Sequence, residues 1–130
     1  PVAWVKSKNG PADAREAFNT LESRMETLRG RKMYGLFFEN TGDYYAAVML
    51  DEEYSDDMGF ERGMIPGGLY ARRKVKDWNK RIAEIPSIFK SIEEEAKNNG
   101  YIVEKERPGI EFYRSFKELL LLLPIKKSLR

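Results

Sequence analysis

The chain has neither histidine nor cysteine. That removes imidazole bases, thiol nucleophiles, Ser-His triads, disulfides, structural zinc and His-ligated haem. Chemistry is left to carboxylates, lysine, tyrosine, water and the amino terminus, and among the carboxylates Glu111 stands out. It lies in Glu106-Arg107-Pro108-Gly109-Ile110-Glu111-Phe112-Tyr113, ahead of the apolar run Leu119 to Leu123 and Pro124-Ile125, where a buried strand is expected. A buried, unpaired carboxylate is costly, so such a residue is paired, protonated or kept for a ligand. Alternate side chains of a strand point to opposite faces. With Ile110 and Phe112 turned to the helices, Glu111 and Tyr113 are expected to look into a groove. A carboxylate among aromatic rings there suits a lipophilic cation, through charge pairing and cation–π contact where water is excluded. A salt bridge to Arg107 or Arg114 answers the same cost with no ligand, and both readings stand.

Other charged stretches point less clearly to a site. Counting an EF-hand loop from Asp51 puts Asp56 at the glycine position and Arg62 at the terminal ligand position, so the acidic run Asp51 to Asp57 lacks calcium-loop geometry. The basic run Arg72-Arg73-Lys74-x-Lys76 reads as a solvated strand edge, which lysines also protect from edge-to-edge pairing, with a nucleic-acid contact as the less favoured alternative. With 23 basic and 21 acidic residues the net charge is +2, too small and too mixed to imply a nucleic acid or an anionic membrane as main partner. No apolar stretch approaches the roughly 20 residues that span a bilayer, and no signal-peptide pattern opens the chain. A cytoplasmic location is expected.

The elements that must position Glu111 come in two similar halves. Val2 to Val5 reads as a strand, broken by Gly10-Pro11. A helix follows, with Asp13 as N-cap and Glu16 three residues on; Ala14, Ala17, Phe18, Leu21, Met25 and Leu28 recur at helical spacing, and Gly30 ends it. Met33 to Glu39 and Tyr44 to Leu50, separated by Asn40-Thr41-Gly42-Asp43, form a hairpin. After a connector over about residues 51–66 the pattern restarts. Leu69 to Val75 is a strand; Ile82, Ile85, Ile88, Phe89, Ile92 and Ala96 carry a helix with Pro86 in its first turn and Gly100 as its stop; Ile110 to Phe116 and Leu119 to Ile125 form a second hairpin. Phe18-x-x-Leu21-Glu22 answers Phe89-x-x-Ile92-Glu93. One domain over residues 1–130 is expected, with halves of about 1–51 and 66–126. The fold class is α+β: duplicated strand-helix-strand-strand units forming one curved antiparallel sheet, two helices on one face and a ligand groove on the other. In Tyr44 to Leu50 and Leu119 to Leu123 both alternate sets are apolar, so the second sheet face is either a groove or covered by more core or a homodimer partner.

The second half resembles the GyrI-like domain, which is also the effector-binding portion of AraC-type and MerR-type multidrug-responsive regulators. The residues that carry the likeness are Ile65-Pro66-Gly67-Gly68-Leu69-Tyr70-Ala71, Arg107-Pro108-x-x-Glu111-x-Tyr113 and Pro124-Ile125; Phe38-Glu39-Asn40 through Tyr45-Ala46-Ala47-Val48 looks like the family's first hairpin. The resemblance implies a groove at a pseudo-twofold junction in which the glutamate, here Glu111, contacts cationic aromatic ligands. Tyr113, Tyr45, Tyr70, Trp78 and Met49 are the candidates to line it, with Trp78 equally suited to packing at a helix start. No helix-turn-helix pattern accompanies the domain, so binding of nucleic acid by this chain alone is not expected. The chain begins without Met, which fits trimming of family residues before the first strand.

On this reading the chain binds amphipathic, often cationic, aromatic small molecules, needs no metal or cofactor, and acts as a drug sponge or sensor. An alternative implied by the same resemblance is hydrolysis of cyclopropane-containing alkylating natural products, with Glu111 and Tyr113 as catalytic groups, provided burial raises the carboxylate toward neutrality. A third starts from Pro1-Val2-Ala3-x-Val5, which looks like the opening of tautomerases with an N-terminal proline base. That chemistry requires an enclosed Pro1 near cationic groups.

Overall fold

A computed structural model describes residues 1–115 and 117–128. It is an α+β fold with two α-helices and one antiparallel eight-stranded sheet. In chain order the elements are β1 (Val2–Lys6), α1 (Ala14–Glu22), β2 (Met33–Phe38), β3 (Asp43–Met49), β4 (Glu61–Gly63), β5 (Tyr70–Lys76), α2 (Ile85–Asn98), β6 (Tyr101–Val103), β7 (Gly109–Tyr113) and β8 (Glu118–Lys127). Short 3-10 turns at Gly10–Asp13, Trp78–Lys80 and Ile82–Glu84 lead into the helices. The strand order is β4-β1-β3-β2-β7-β8-β5, with β6 beside β8. Among the described residues no helix is long and apolar enough to cross a membrane.

Register places both helices on one face. Ala46 of β3 pairs with Gly35 of β2, Gly35 with Glu111 of β7, and Glu111 with Leu121 of β8, so these four share a side. Ala17 and Leu21 of α1 pack on that side against Ala3, Ala46 and Val48. Ile85, Ile92 and Ala96 of α2 pack on it against Val75, Leu119, Leu121 and Leu123. The opposite face holds a third cluster, Val2, Leu36, Ala47 and Ile110. The sheet is therefore apolar on both sides, as the lack of alternation in its inner strands requires.

What lies over the second face is the chain itself. β4 and β5 are the two edges of the path, and the segment between them must cross the sheet. Ile65 packs onto the Val2, Leu36, Ala47 and Ile110 cluster, which puts the crossing on the helix-free face. The path of seven strands would span about 29 Å if flat, at about 4.8 Å per neighbour. Seven residue steps from Gly63 to Tyr70 reach about 25 Å fully extended. A flat sheet would put its edges out of the strap's reach, so the sheet must curve; the strap itself bends at Gly68, at φ +139°.

Several expected boundaries shift for local reasons. α1 stops at Glu22 rather than running to Gly30. The Thr20 hydroxyl donates to the Glu16 carbonyl and Ser23 to the Thr20 carbonyl, a competition with backbone bonding that weakens a helix end. Met25 still reaches the core, whereas Leu28 is exposed. Asp13 sits at the N-cap position without a capping bond and instead accepts from the Asn9 amide at 2.7 Å. The connector contains β4, which pairs with β1, and β6 was unmarked by pattern; each has only three residues, too few for a periodicity to register. β7 ends at Tyr113, and the expected strand end at Phe116 lies outside the described residues. The Pro86 and Gly100 signals hold: Pro86 lies in the first turn of α2, and Gly100 follows it at φ +85°.

The main correction concerns faces. Glu111 and Tyr113 do share one face, and Ile110 and Phe112 the other, but the sides are exchanged: Glu111 and Tyr113 lie toward the helices. An apolar pair marks the helix side only when the other side is wet. Here Ile110 finds an equally dry place under the strap.

A strap that must bridge the two sheet edges predicts an asymmetric response to length. Deleting Gly67 and Gly68 removes about 7 Å of reach and should lower the midpoint of urea unfolding sharply. Inserting two serines at the same point should cost no more than about 1 kcal/mol. Equal tolerance of both changes would show that the length of the strap does not limit the fold.

Candidate functional site

Glu111 stands at the middle of the helix face, at the seam where β2 meets β7. Its Oε1 accepts two hydrogen bonds, from the Tyr44 hydroxyl at 2.6 Å and the Tyr113 hydroxyl at 2.7 Å. Tyr113 reaches it from two residues along β7, on the same face. Tyr44 reaches across from β3, and Gly35 between them makes this possible. A β-carbon at position 35 would collide with both the Tyr44 hydroxyl and Glu111 Oε1. Glycine in the middle of a strand here marks a close approach of side chains over the backbone.

Aromatic rings enclose the acid. Phe18 of α1 meets Tyr113 edge-on at 5.4 Å and Tyr44 at 6.4 Å. Trp78, on the turn before α2, meets Tyr113 at 5.0 Å, while its indole nitrogen donates to the Ser115 carbonyl at 2.9 Å. Tyr44 is buried, whereas Glu111 and Tyr113 are half-buried as whole residues, with the carboxyl at the inner end.

No cation answers the carboxylate among the described residues. Arg114 pairs with Glu118 at 3.2 Å. Arg107 lies 4.8 Å over the Tyr70 ring and donates to the Leu69 and Ile125 carbonyls. Neither salt bridge left open by the sequence is formed. Burial pushes the Glu111 carboxyl above its ordinary range, and the two tyrosine hydroxyls pull it partly back. Burial first, and the neighbouring carboxylate second, hold both the Tyr44 and Tyr113 hydroxyls well above the usual phenol range. The cluster is thus a desolvated acid held by two hydroxyls that stay protonated.

The structure brings together Glu111, Tyr113 and Trp78 of the expected site residues and separates the others. Tyr45, Met49 and Tyr70 belong to the cluster on the helix-free face; Tyr45 is 4.3 Å from Trp4, and the Tyr70 hydroxyl donates to the Pro66 carbonyl at 2.9 Å. They are one step out of phase with the helix-facing residues of their strands. Tyr44, Gly35 and Phe18 complete the site and are not among the residues that the sequence pattern singles out for it. The glycine within the aromatic stretch Met33 to Phe38 was the signal that could have found the site.

The expected open groove on the helix-free face is replaced in part by the strap. Two surface clefts of about 400 and 320 Å³ lie elsewhere, beside α2 and β6 and between α2 and the β5 edge; Glu111 lines neither. Protein rings pack around Glu111. Among the described residues no three acidic side chains converge as a metal site. In the acidic stretch Asp51, Asp56 and Asp57 accept from the backbone of Tyr54, Met58 and Gly59. Pro1 is exposed, not enclosed as proline-base chemistry requires. No family model, curated protein or solved structure matches the chain.

A raised carboxyl leaves a signature in stability. The folded state holds its proton to higher pH than the unfolded chain does. Stability should therefore fall as pH rises from the ordinary glutamate value of 4.5 through the folded value. Glu111→Gln, whose amide oxygen can still accept from both tyrosines, should remove that slope and raise the unfolding free energy at neutral pH by on the order of 1 kcal/mol. Urea unfolding at acidic and neutral pH measures both; a variant less stable than the parent at neutral pH would contradict the assignment.

Proposed function

We propose that this chain is a binding protein of the GyrI-like kind, taking amphipathic, cationic, aromatic small molecules at Glu111. The observation that carries this reading is a desolvated carboxyl held by two neutral hydroxyls, ringed by Tyr44, Tyr113, Phe18 and Trp78, with no cation from the described residues. A flat organic cation supplies what the site lacks: a charge against Oε1 and Oε2 and faces for the rings. Strand order supports the duplication the family resemblance implies. β1-β3-β2 meets β7-β8-β5 at one seam, each half also carrying one helix, and Glu111 faces Gly35 across that seam. The groove of this proposal runs between α1 and the Trp78 turn on the helix face, and its rings must part to admit a ligand. The same reading places the protein in the cytoplasm, where a chain without cysteine forgoes no disulfide.

Hydrolysis of a cyclopropane-containing alkylating compound is the second reading. The upward shift of the Glu111 carboxyl supports it, since a general acid or base works best near the ambient pH. It requires a water at the carboxylate edge that the tyrosines leave free.

A fluorescence titration with a cationic rhodamine and a neutral analogue tests the charge pairing. Glu111→Gln should weaken the cation by about 30-fold or more and the neutral dye by less than about 3-fold. The cation should also bind more weakly at acidic pH, where it must displace a proton. Equal losses for the two dyes would remove the proposal. Product formation from the alkylating compound that Glu111→Gln abolishes would favour turnover over binding alone.

A further inference from the structure

The net charge of +2 averages over two unlike sides. On the helix-free face, β5 presents Arg72, Lys74 and Lys76, all exposed, because these residues alternate with the helix-facing Arg73 and Val75. In register with Lys74 lie Leu120 of β8, Phe112 of β7 and Tyr34 of β2. Tyr34 and Phe112 stack on each other at 4.7 Å and 18°, and both are half-buried. Arg114, just beyond β7, adds a fourth exposed cation. The acid at this corner is Glu118, which lies between two of the cations, 3.7 Å from Lys74 and 3.2 Å from Arg114. Among the described residues, three further acids of this face pair away from the corner: Glu104, near the Tyr70 end of β5, pairs with Lys126 at 3.5 Å, and on β3 and β4 toward the opposite edge Asp43 pairs with Lys6 and Glu61 accepts from Trp4.

Edge protection explains lysine and arginine on β5. It does not explain Arg114, which is off the edge strand, nor an aromatic pair left half-open beside the cations. Against the expectation from whole-chain charge, we propose that the corner formed by Tyr34, Phe112, Arg72, Lys74 and Arg114 binds single-stranded nucleic acid, its phosphates along the β5 cations and its unpaired bases against the two rings. Aromatic rings on a sheet beside a basic track take unpaired bases, because every base offers a flat face and only an unpaired one can turn it outward. The charge excludes a lipophilic cation from this corner and opposes a second copy docking there through the same basic strand. The proposal is independent of Glu111, which lies on the other side of the sheet.

Fluorescence anisotropy of a short labelled thymidine oligonucleotide tests it. The intact chain should bind with a log–log salt slope of about −2, for about three phosphates neutralised, and bind a duplex of matching length less tightly. Arg72→Glu with Lys74→Glu should weaken binding at least about ten-fold more than the matched reversal Lys8→Glu with Lys90→Glu on the far side. Phe112→Leu, which keeps the apolar bulk, should cost about ten-fold while leaving the salt slope unchanged. Binding unaffected by Phe112→Leu, a polyglutamate peptide bound as tightly as the oligonucleotide, no binding at low salt, or sedimentation as a dimer that Arg72→Glu and Lys74→Glu dissociate would each overturn the assignment.

Discussion

A carboxylate held by hydroxyls and not by a cation sets the terms for the middle of this molecule. Two tyrosines donate to one oxygen of Glu111, and each must come from a strand whose phase directs it to the helix face. Tyr113 does so from β7 itself, and Tyr44 from β3. The bridge is possible only because β2, lying between them, has no side chain at Gly35. The seam of the sheet, the phase of three strands and a missing β-carbon are thus tied to one acid. Hydrogen bonds to neutral donors compensate a buried charge less fully than an ion pair, and the upward shift of the carboxyl expresses what is left over.

The helices frame this point rather than cover it squarely. α1 lies over β1 and β3, and α2 over β5 and β8. The central strands β2 and β7 fall between them, and rings from the two sides, Phe18 and Trp78, lean over the gap. Packing and polarity meet at the one line of the sheet where neither helix provides a continuous apolar surface. An acid is tolerated there at less cost than under the body of either helix.

The other face follows a different logic. A strap drawn from one sheet edge to the other covers its centre and leaves its corners to aromatic side chains and charge. Because the strap is short for the distance, curvature of the sheet and closure of the second face are one event. The cations of β5 lie along the strand beyond Tyr70, where the strap lands, and the acids lie chiefly on the helices, in the loop over residues 51–57 and at the far edge. A chain of nearly balanced charge therefore has a basic corner that no whole-chain total reveals.

Much of the architecture was legible from residue order. The strands from Met33 and Tyr44, the strand from Leu69, the Pro86 helix entry and the Gly100 stop all rest on local signals, and local signals survive into the fold. Glu111 was legible too, as an acid inside an apolar strand beside Tyr113. The side of the sheet it would occupy was not, nor were Tyr44, Gly35 and Phe18 as its neighbours. Strand periodicity divides residues into two sets without saying which set meets the helices, and when both sets are apolar the usual cue disappears. That choice depended on where a six-residue strap could pass and which pairing register left room above Gly35, both properties of contacts between residues far apart in the chain. Sequence alone determined the alternation, the turns and the odd acid; tertiary structure decided the faces, because only the assembled sheet has an inside on each side.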